Sequence, residues 1–529
     1  MLAKTALLVV SNPSQIGKIL VNIHEKVKTT LYIQLLSALS GPLTFQPNVF
    51  TSSPMYSSLI SNIYYQVSAS ITKKINRFNR LQAAKDCDSL DVRVLLSALK
   101  SKSLPKIRTL NTIDLVIFDR KYHDVEISRF VQGGIENIAA DCPVLTFTSS
   151  EASGPLESAP TNNKVYEHTV LGGTFDRLHA AHKILLSEAV LRSSSKVTVG
   201  VTEENMLAGK TLWELTEPLD MRIQGVKDFL SDICSELDIN VVPITDPLGP
   251  TRDDPTMNLL IVSAETAKGG RYVNEVRKEK SLPLLDVFEV DLINEPNPNP
   301  TEEEKISSST MRMRLLGTLL KPPVGNTLIP DKPYVIGLTG GIASGKSGIS
   351  QRLKELGAEV IDCDKVAHDV YKPGRPCHKQ IVEVFGGTVI AANGEIDRPA
   401  LGAIVFKSAE ELDKLNNIVW PAIAEEVSAR IRNSSCKVVV VEAAVLLKAG
   451  WEKYCHEVWT SFIPSKVAIE RLINRNGLSE EQARSRVDSQ LDNAGYIRMA
   501  NVVFCSLWSK EFTISQVDRA WDLLQARLL

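Results

Sequence analysis

Eight consecutive residues have the types and spacing of a phosphate-binding loop. The run Gly-Gly-Ile-Ala-Ser-Gly-Lys-Ser follows an apolar stretch that predicts a strand, and it precedes a predicted helix. Glycines let backbone N–H groups close around phosphate oxygens, and the helix N-terminus adds favourable partial charge. In this pattern Lys346 reaches the β- and γ-phosphates, and the Ser347 hydroxyl ligates Mg²⁺. The predicted site for a nucleoside triphosphate with Mg²⁺ consists of Gly340, Gly341, Ile342, Ala343, Ser344, Gly345, Lys346 and Ser347.

Two further pairs of charged residues in the same part of the chain could act on these phosphates. Asp362 and Asp364 follow an apolar run, at the carboxyl end of a predicted strand, where parallel sheets bind their ligands. Asp364 could accept the proton of an acceptor hydroxyl, or it could only cap the following helix. Arg471 and Arg475 are four residues apart on one face of a predicted helix. They could neutralise phosphate charge, or they could form an exposed charged stripe.

A second constellation, nearer the middle of the chain, contains two histidines. His179 and His182 lie three residues apart at the start of a predicted helix, just after a strand that ends in the stretch Gly172–Asp176. Ring and backbone N–H groups at such a helix start point at an anion above the strand ends. This arrangement suits nucleotidyl transfer, in which the protein supplies positioning and charge and no covalent intermediate is required. A metal site, or a structural role for one histidine, is the alternative.

Hydroxyl side chains and an arginine lie at the far end of the same region. Ser307, Ser308 and Ser309 precede Arg312 at the start of another predicted helix. A serine run alone usually indicates a loop or a helix cap. Paired with the histidines in one alternating domain, it indicates a triphosphate site.

The elements that must position these residues fall into three blocks. Residues 1–155 have the pattern of an α/β region, show no catalytic constellation, and end in a small, polar segment, 149–163, that is typical of a linker. Residues 164–318 and 334–529 each alternate strands and helices, which is the signature of parallel sheets. The predicted fold class is therefore α/β: two doubly wound parallel-sheet domains in series, the first Rossmann-like and the second a P-loop kinase, after an N-terminal α/β domain of unknown role.

Composition excludes several classes of protein. Among the 529 residues, 60 basic and 62 acidic side chains give a net charge of -2, so the chain has no global basic field for nucleic acid. Its eight cysteines include no C-x-x-C pair, which indicates a reduced compartment and no structural zinc. No apolar run approaches the roughly 20 residues of a membrane span. The lysine-rich start predicts either a strand running into a helix or a targeting segment, so cytosol and mitochondrion both remain open.

The third block resembles the dephospho-coenzyme A kinase family over nearly its whole length. The matching stretches are Leu338–Ser347, Val360–His368, Pro373-Gly374, Ile396–Arg398, Leu446-Leu447 and Ala468–Arg475. The resemblance implies that Asp364 is the base, that Arg471 and Arg475 belong to a lid over ATP, and that Arg398 contacts the acceptor, dephospho-coenzyme A. The chain departs from the family at Trp420, where a histidine is common, and at Lys448, where a glutamate is common.

The second block resembles the nucleotidyltransferase superfamily that carries H-x-G-H and I-S-S/T-S/T-x-x-R motifs. It is most similar to the eukaryotic type of phosphopantetheine adenylyltransferase, through Gly172–His182, Val262–Thr266 and Gly269–Arg277. By this resemblance Thr174, His179 and His182 face the phosphates, Ser307 to Ser309 with Arg312 hold ATP, and Lys210 is a candidate contact for the transferring phosphates. Ala181 departs from the glycine of bacterial members, and its methyl group could crowd an approaching phosphate.

The two resemblances together are those of bifunctional coenzyme A synthases. Such enzymes convert ATP and 4′-phosphopantetheine into dephospho-coenzyme A and diphosphate, and then use ATP with Mg²⁺ to phosphorylate the 3′-hydroxyl. Two alternatives stay open at this point. One is a nicotinamide mononucleotide adenylyltransferase fused to a nucleoside kinase, and the other is a degenerate nucleotide-binding scaffold whose N-terminal block recruits partners.

Overall fold

The computed structural model describes most of the chain. The described residues are 2–11, 16–23, 26–36, 53–77, 90–100, 106–147, 163–296, 298–326, 329–405 and 407–528. They form two compact units, Met1–Met313 and Arg314–Leu529, with two sheets in the first unit and one in the second. All three sheets have five strands and parallel pairing, which confirms the predicted α/β class. The predicted linker lies outside the described residues except for Asn163.

The first sheet has the strand order β3-β2-β1-β4-β5. Its strands are β1 (Ala3–Val10), β2 (Val27–Leu35), β3 (Asp91–Leu95), β4 (Leu115–Phe118) and β5 (Val144–Thr146). Its helices are α1 (Ile16–Ile23), α2 (Ser57–Arg77), α3 (Ser97–Lys100) and α4 (Asp124–Gly134). The last six residues of β1 are all buried. Near-continuous burial of this kind is expected when helices cover both faces of a parallel sheet.

The second sheet has the strand order β10-β9-β6-β7-β8. Its strands are β6 (Tyr166–Gly173), β7 (Ser193–Thr202), β8 (Asp238–Ile244), β9 (Leu259–Ser263) and β10 (Asp286–Val290). Its helices are α5 (Ala180–Arg192), α6 (Leu219–Ile233), α7 (Ala267–Glu279) and α8 (Ser308–Leu315). The order reverses between β6 and β9, and the crevice beyond the carboxyl ends of such strands is where doubly wound sheets bind ligands. Both motifs of this block lie beyond the end of β6.

The third sheet has the strand order β12-β13-β11-β14-β15. Its strands are β11 (Tyr334–Gly340), β12 (Glu359–Asp362), β13 (Val438–Glu442), β14 (Glu457–Phe462) and β15 (Val502–Cys505). Its helices are α9 (Lys346–Glu355), α10 (Cys363–Val370), α11 (Pro376–Phe385), α12 (Arg398–Val405), α13 (Ala409–Asn433), α14 (Ser465–Asn476), α15 (Glu480–Asp488), α16 (Asn493–Met499) and α17 (Lys510–Arg527). Strand β11 is central, so the phosphate loop that follows it opens at the middle of the sheet edge. Across the described residues, no helix is long and apolar enough to cross a bilayer.

Candidate functional site

A tight turn between β6 and α5 brings the two histidines together. Phe175 and Arg177 take positive φ angles of 49° and 48° there. His179 is the N-cap residue of α5, and His182 lies in its first turn. Their rings stack with centroids 3.7 Å apart and planes inclined by 20°. The spacing of three residues therefore places both imidazoles on one face, as the sequence predicts.

Both imidazoles carry a buried nitrogen that receives no hydrogen bond from the described residues. The Nδ1 atoms of His179 and His182 are buried and have no hydrogen-bond partner in the described part of the chain. A buried polar atom of this kind is destabilising unless a ligand or water completes it. No group of three or more His, Cys, Asp and Glu side chains that could hold a metal occurs among the described residues. Two imidazoles alone make a poor zinc site, so a phosphate oxygen fits these nitrogens better.

Burial controls the charge state of the pair. Desolvation holds the pKa of His179 well below its usual value, and the nearby His182, Lys183 and Arg312 lower it further. Desolvation also lowers the pKa of His182 to about 4, against the opposing pull of Asp176. Both rings are therefore neutral at pH 7 before a phosphate arrives. A bound polyphosphate would stabilise the protonated form and raise both pKa values.

The serine motif meets the histidine motif through Asp176. Ser308 Oγ lies 3.3 Å from His179 Nε2 and donates to the Asp176 carbonyl oxygen at 3.3 Å. Arg312 Nη1 donates to Asp176 Oδ2 at 2.6 Å, and both side chains are almost fully buried. Two motifs more than 120 residues apart in sequence therefore meet at one site, at the turn between β6 and α5. The structure adds Asp176 to the site. No role for Asp176 is predicted from the sequence, because its only signal there is its place beside the histidines.

The other residues of this site are brought to the same corner in different ways. Thr174 is buried, and its carbonyl oxygen accepts a hydrogen bond of 2.8 Å from Arg222 Nη1, so Arg222 fixes the turn. Lys210 is exposed as a residue, yet partial desolvation and the Arg312 charge lower its pKa. Ser307 Oγ accepts from the Thr310 N–H at 3.2 Å, as a helix cap does. Arg222 has no motif around it, so the sequence offered no means of finding it.

Arg312 is buried more deeply than an ATP contact requires. The Arg312 side chain is 1% exposed, and its Nε donates to the Thr211 carbonyl oxygen at 2.9 Å. Its Nη2 lies 3.5 Å from Ser309 Oγ. The structure therefore gives Arg312 an internal role in holding Asp176, in addition to the ATP contact that the resemblance implies.

Two glycines make the phosphate loop of the second unit possible. Gly340 takes φ 141°, and a Cβ there would lie 2.0 Å from the Ser461 carbonyl oxygen. Gly345 takes φ 95° as the N-cap residue of α9. Lys346 Nζ donates to the carbonyl oxygens of Gly340 and Gly341 at 2.8 and 3.2 Å. The lysine is therefore folded over the loop that, in this motif, surrounds the phosphates.

Charges from two neighbouring strand ends act on Lys346. Burial lowers the pKa of Lys346, while the carboxylates of Glu442 and Asp364 oppose that shift. Glu442 ends β13 and pairs with Leu338 of the loop strand. The sequence did not single out Glu442, although an acid that closes a run of four valines beside the loop strand was a usable signal.

Asp362 ends β12 and Asp364 follows at the start of α10, and the structure shows which of the two acids caps the helix. Asp362 is the N-cap residue of α10, and its Oδ1 accepts from the N–H groups of Asp364 and Lys365 at 3.0 and 3.2 Å. Asp364 lies in the first turn and is exposed. The capping role therefore belongs to Asp362, and the Asp364 carboxylate is left available above the strand ends.

The two arginines of α14 are placed differently from each other. Arg471 Nη1 donates to the Ala343 carbonyl oxygen at 3.0 Å and to Ser506 Oγ at 2.8 Å, so it braces the loop from outside. Arg475, one turn later, is exposed. Gln490, which the sequence did not indicate, accepts a hydrogen bond of 2.7 Å from the Ile342 N–H. The loop is thus held by one side chain from α14 and one from the bend between α15 and α16.

Arg398 is the predicted residue that lies apart from the loop. It begins α12 and is exposed, with its guanidinium carbon 5.9 Å from the centroid of the Tyr371 ring. Within the part of the chain that the structure describes, no hydrogen bond joins it to the phosphate loop. An exposed guanidinium beside an aromatic ring is suited to an acceptor that binds at some distance from the transferred phosphate.

Comparison with known proteins assigns families to two parts of the chain. Residues 334–506 match the family model of dephospho-CoA kinase, and residues 170–314 match the cytidylyltransferase-like model. The dephospho-CoA kinase of Moorella thermoacetica is 41% identical over 199 residues, which cover 37% of this chain and 94% of that protein. The dephospho-CoA kinase of Geobacillus kaustophilus is 40% identical over 196 residues, which cover 36% of this chain and 98% of that protein.

A solved structure that covers the same share of the chain is less similar in sequence than these two relatives. The protein TT1252 from Thermus thermophilus covers 37% of this chain and 98% of its own, at 27% identity and a TM-score of 0.33. The two family models confirm the kinase resemblance of the third block and the nucleotidyltransferase resemblance of the second.

Proposed function

The chain belongs to the dephospho-CoA kinase family, and from this premise we propose that it catalyses two successive ATP-dependent reactions. The first is adenylyl transfer from ATP to 4′-phosphopantetheine, which yields dephospho-CoA and diphosphate. The second is phosphorylation of the 3′-hydroxyl of dephospho-CoA, which yields CoA. The observation that supports the proposal is that one chain joins a cytidylyltransferase-like domain to a dephospho-CoA kinase domain, each with a polar site at its strand ends. The first corner is the site around His179, His182 and Ser308, and the second corner is the phosphate loop 340–347 with Asp364.

The chemistry of the first corner supports adenylyl transfer. Attack by a phosphate oxygen on the α-phosphate of ATP develops negative charge that must be met by fixed donors. The neutral rings of His179 and His182 have buried nitrogens that can bond phosphate oxygens, and Thr174 and Ser308 add hydroxyls beside them. Lys210 lies at the rim, where its charge can meet the incoming phosphate or the departing diphosphate.

The order of the two reactions follows from the acceptor. Adenylyl transfer creates an adenosine with a free 3′-hydroxyl, and a dephospho-CoA kinase uses that hydroxyl as its acceptor. In the second corner Asp364 can accept the hydroxyl proton, Lys346 can neutralise the γ-phosphate, and Arg475 can close over ATP. The exposed Arg398 and the neighbouring Tyr371 ring would contact the acceptor.

Mg²⁺ is expected with ATP, and the residues of the second corner fit it. The exposed Ser347 hydroxyl and the half-buried Glu442 carboxylate are oxygen ligands of the kind that Mg²⁺ prefers. A site with one or two protein oxygens is sufficient, because Mg²⁺ usually takes its other ligands from phosphates and water. Ser347 and Glu442 would hold the ion beside the phosphates, and a bound Mg²⁺ would supply positive charge that offsets the phosphate charge during transfer.

Mass spectrometry of the products tests the proposal. The purified chain is given ATP, Mg²⁺ and 4′-phosphopantetheine, and both dephospho-CoA and CoA should appear. Lys346→Ala should stop at dephospho-CoA, because it removes only the charge at the second corner. His179→Ala or His182→Ala should slow the first reaction by roughly 10²–10³-fold, because each removes a donor to the transition state. Supplied dephospho-CoA should still be phosphorylated by both histidine variants.

Two outcomes would reject the proposal. One is a folded Lys346→Ala chain that loses both reactions, since the two sites would then not be separate. The other is turnover of nicotinamide mononucleotide, offered in a parallel reaction, in place of 4′-phosphopantetheine.

A further inference from the structure

The helix that carries the histidine pair is enclosed by the first sheet of the same unit. Helix α2 packs on α5, and β3 packs on α6. Apolar residues of α2, such as Ile60 and Ile63, belong to the same buried cluster as Ile184 and Leu191 of α5. Nine residues of α5 are buried, including the charged Lys183 and Glu188. A helix this deeply covered takes its position from its neighbours on both sides.

Polar contacts from the first sheet fix α5 at both ends. Near its start, Lys183 Nζ donates to Asp91 Oδ1 at 2.5 Å and to the Val92 carbonyl oxygen at 3.0 Å. Near its end, Lys100 Nζ donates to the carbonyl oxygens of Leu191 and Ser193, each at 2.7 Å. A cation at the C-terminus of a helix is favourable, because the last carbonyl groups carry partial negative charge.

The contact at the start of α5 lies directly beside the reacting groups. Lys183 follows His182 in sequence, is four residues from His179, and acts electrostatically on the His179 ring. Its side chain is 10% exposed, and that of Asp91 is 33% exposed. A cation buried to this degree requires a partner, and the carboxylate of Asp91 comes from the first sheet.

Asp91 also connects α5 to α6. Its carboxylate pairs with Arg93 at 2.8 Å, and Arg93 Nη1 pairs with the fully buried Asp232 of α6 at 2.5 Å. Asp232 accepts two more hydrogen bonds from the first block, from Tyr32 Oη at 2.8 Å and from the Leu110 N–H at 2.6 Å. A chain of four charges, Lys183–Asp91–Arg93–Asp232, therefore joins two helices of the nucleotidyltransferase domain through β3.

We propose that the N-terminal α/β domain is a positioning domain for adenylyl transfer, and that Asp91 acts through Lys183 to orient His179 and His182. This inference rests on the proposed function of the first corner. Small displacements of a group that contacts the phosphates are costly for group transfer, and the start of α5 carries both imidazoles, His179 as the N-cap residue and His182 in the first turn. Asp91 and Lys183 are positioning residues, because neither touches the phosphates.

The test uses the full chain and measures both reactions in one preparation. Asp91→Asn should lower kcat for dephospho-CoA formation roughly 10- to 100-fold, the range that follows from a misplaced catalytic group. The KM for ATP should stay within about twofold, because the triphosphate contacts remain. Asp91→Glu should recover most of the rate, and the rate of 3′-phosphorylation should not change. Asp253→Asn, which removes an exposed ion pair with Lys280 in the same unit, is the matched control and should have no effect.

A double-variant cycle separates positioning from general destabilisation. If Asp91 acts through Lys183, the double variant Asp91→Asn with Lys183→Met should be no slower than Lys183→Met alone. Three results would overturn the proposal. The first is that the losses of kcat in the two single variants add in the double variant, and the second is an Asp91→Asn kcat within about twofold of that of the unsubstituted chain. The third is a loss of kcat that only follows the folded fraction measured by circular dichroism.

Hydrogen exchange keeps the inference distinct from the proposed function. Peptides that cover residues 180–184 should exchange faster in Asp91→Asn than in the unsubstituted chain, whichever substrate the site takes. If the unsubstituted chain forms no dephospho-CoA, the proposed function fails and the exchange result decides the positioning. Unchanged exchange at the start of α5 would then show that the N-terminal domain does not hold this helix.

Discussion

The buried ion pair between Asp176 and Arg312 gives the sharpest test of how the first site is built. Asp176 is 0% exposed and Arg312 is 1% exposed, and their charged atoms are 2.6 Å apart. Asp176→Asn keeps the size of the side chain but leaves the guanidinium buried without a countercharge. Loss of one partner of such a pair costs about 3–5 kcal/mol. The hydrogen bond from Arg312 Nε to the Thr211 carbonyl oxygen remains, so we expect the lower end of that range, about 3 kcal/mol.

Hydrogen exchange by mass spectrometry measures this loss where it occurs. Peptides from α5 and α8 should lose protection by about 3 kcal/mol, while peptides from the third sheet serve as internal controls. The matched control is again Asp253→Asn, whose exposed pair with Lys280 should be worth less than about 1 kcal/mol. A change in the Asp176→Asn chain as small as that of the control would refute the reasoning, because it would mean that the pair does not hold the two motifs together.

The remaining predictions concern the second corner and the effect of acid. Asp364→Asn should slow 3′-phosphorylation without changing stability, whereas Asp362→Asn should mainly destabilise α10, by about 1 kcal/mol for a lost cap; equal effects of both on kcat would contradict their separate roles. Because burial lowers the pKa of His182 from 6.5 to about 4, the folded state binds fewer protons than the unfolded state between these values. The contribution of His182 to the free energy of unfolding is therefore fully present above pH 6.5. It should fall by on the order of 3 kcal/mol as the pH drops to 4. Urea unfolding at several pH values measures the fall, and a His182→Gln chain that shows the same fall would exclude this source.

The sequence predicts the strands and motifs of the two catalytic blocks well, because their signals are local. The phosphate loop and the histidine pair depend on spacings within eight residues or fewer. Their geometry follows once a strand precedes them and a helix follows. Strand β2 is harder to predict from the sequence, because Lys28, Thr29 and Thr30 interrupt its apolar run near the start. The neighbouring strands β1 and β3 pair with it on both sides and make it a buried interior strand of the first sheet.

Residues that act across long sequence distances could not be predicted in the same way. Arg222 reaches the Thr174 carbonyl oxygen from 48 residues away, and Gln490 reaches the Ile342 N–H from 148 residues away. Neither has a motif of its own, because tertiary packing places each of them: Arg222 lies in α6, and Gln490 lies in the bend between α15 and α16. Asp91 is a further example, since its partner Lys183 lies 92 residues later, in another block. Sequence motifs therefore indicate the residues expected to contact a ligand more readily than the distant residues that position them.

The cations of the two corners have different surroundings, and the proposed function gives a reason for the difference. In the second corner Lys346 donates to carbonyl oxygens of its own loop. When a triphosphate binds, Lys346 would exchange these neutral acceptors for charged phosphate oxygens, which form stronger hydrogen bonds. In the first corner Arg312 is already neutralised by Asp176, and the nitrogens left without partners are those of neutral imidazoles. Fixed neutral donors discriminate by position more than by charge, because their hydrogen bonds depend on direction. A site of that kind needs a rigid frame, which accounts for the depth at which α5 is buried between the two sheets of the first unit.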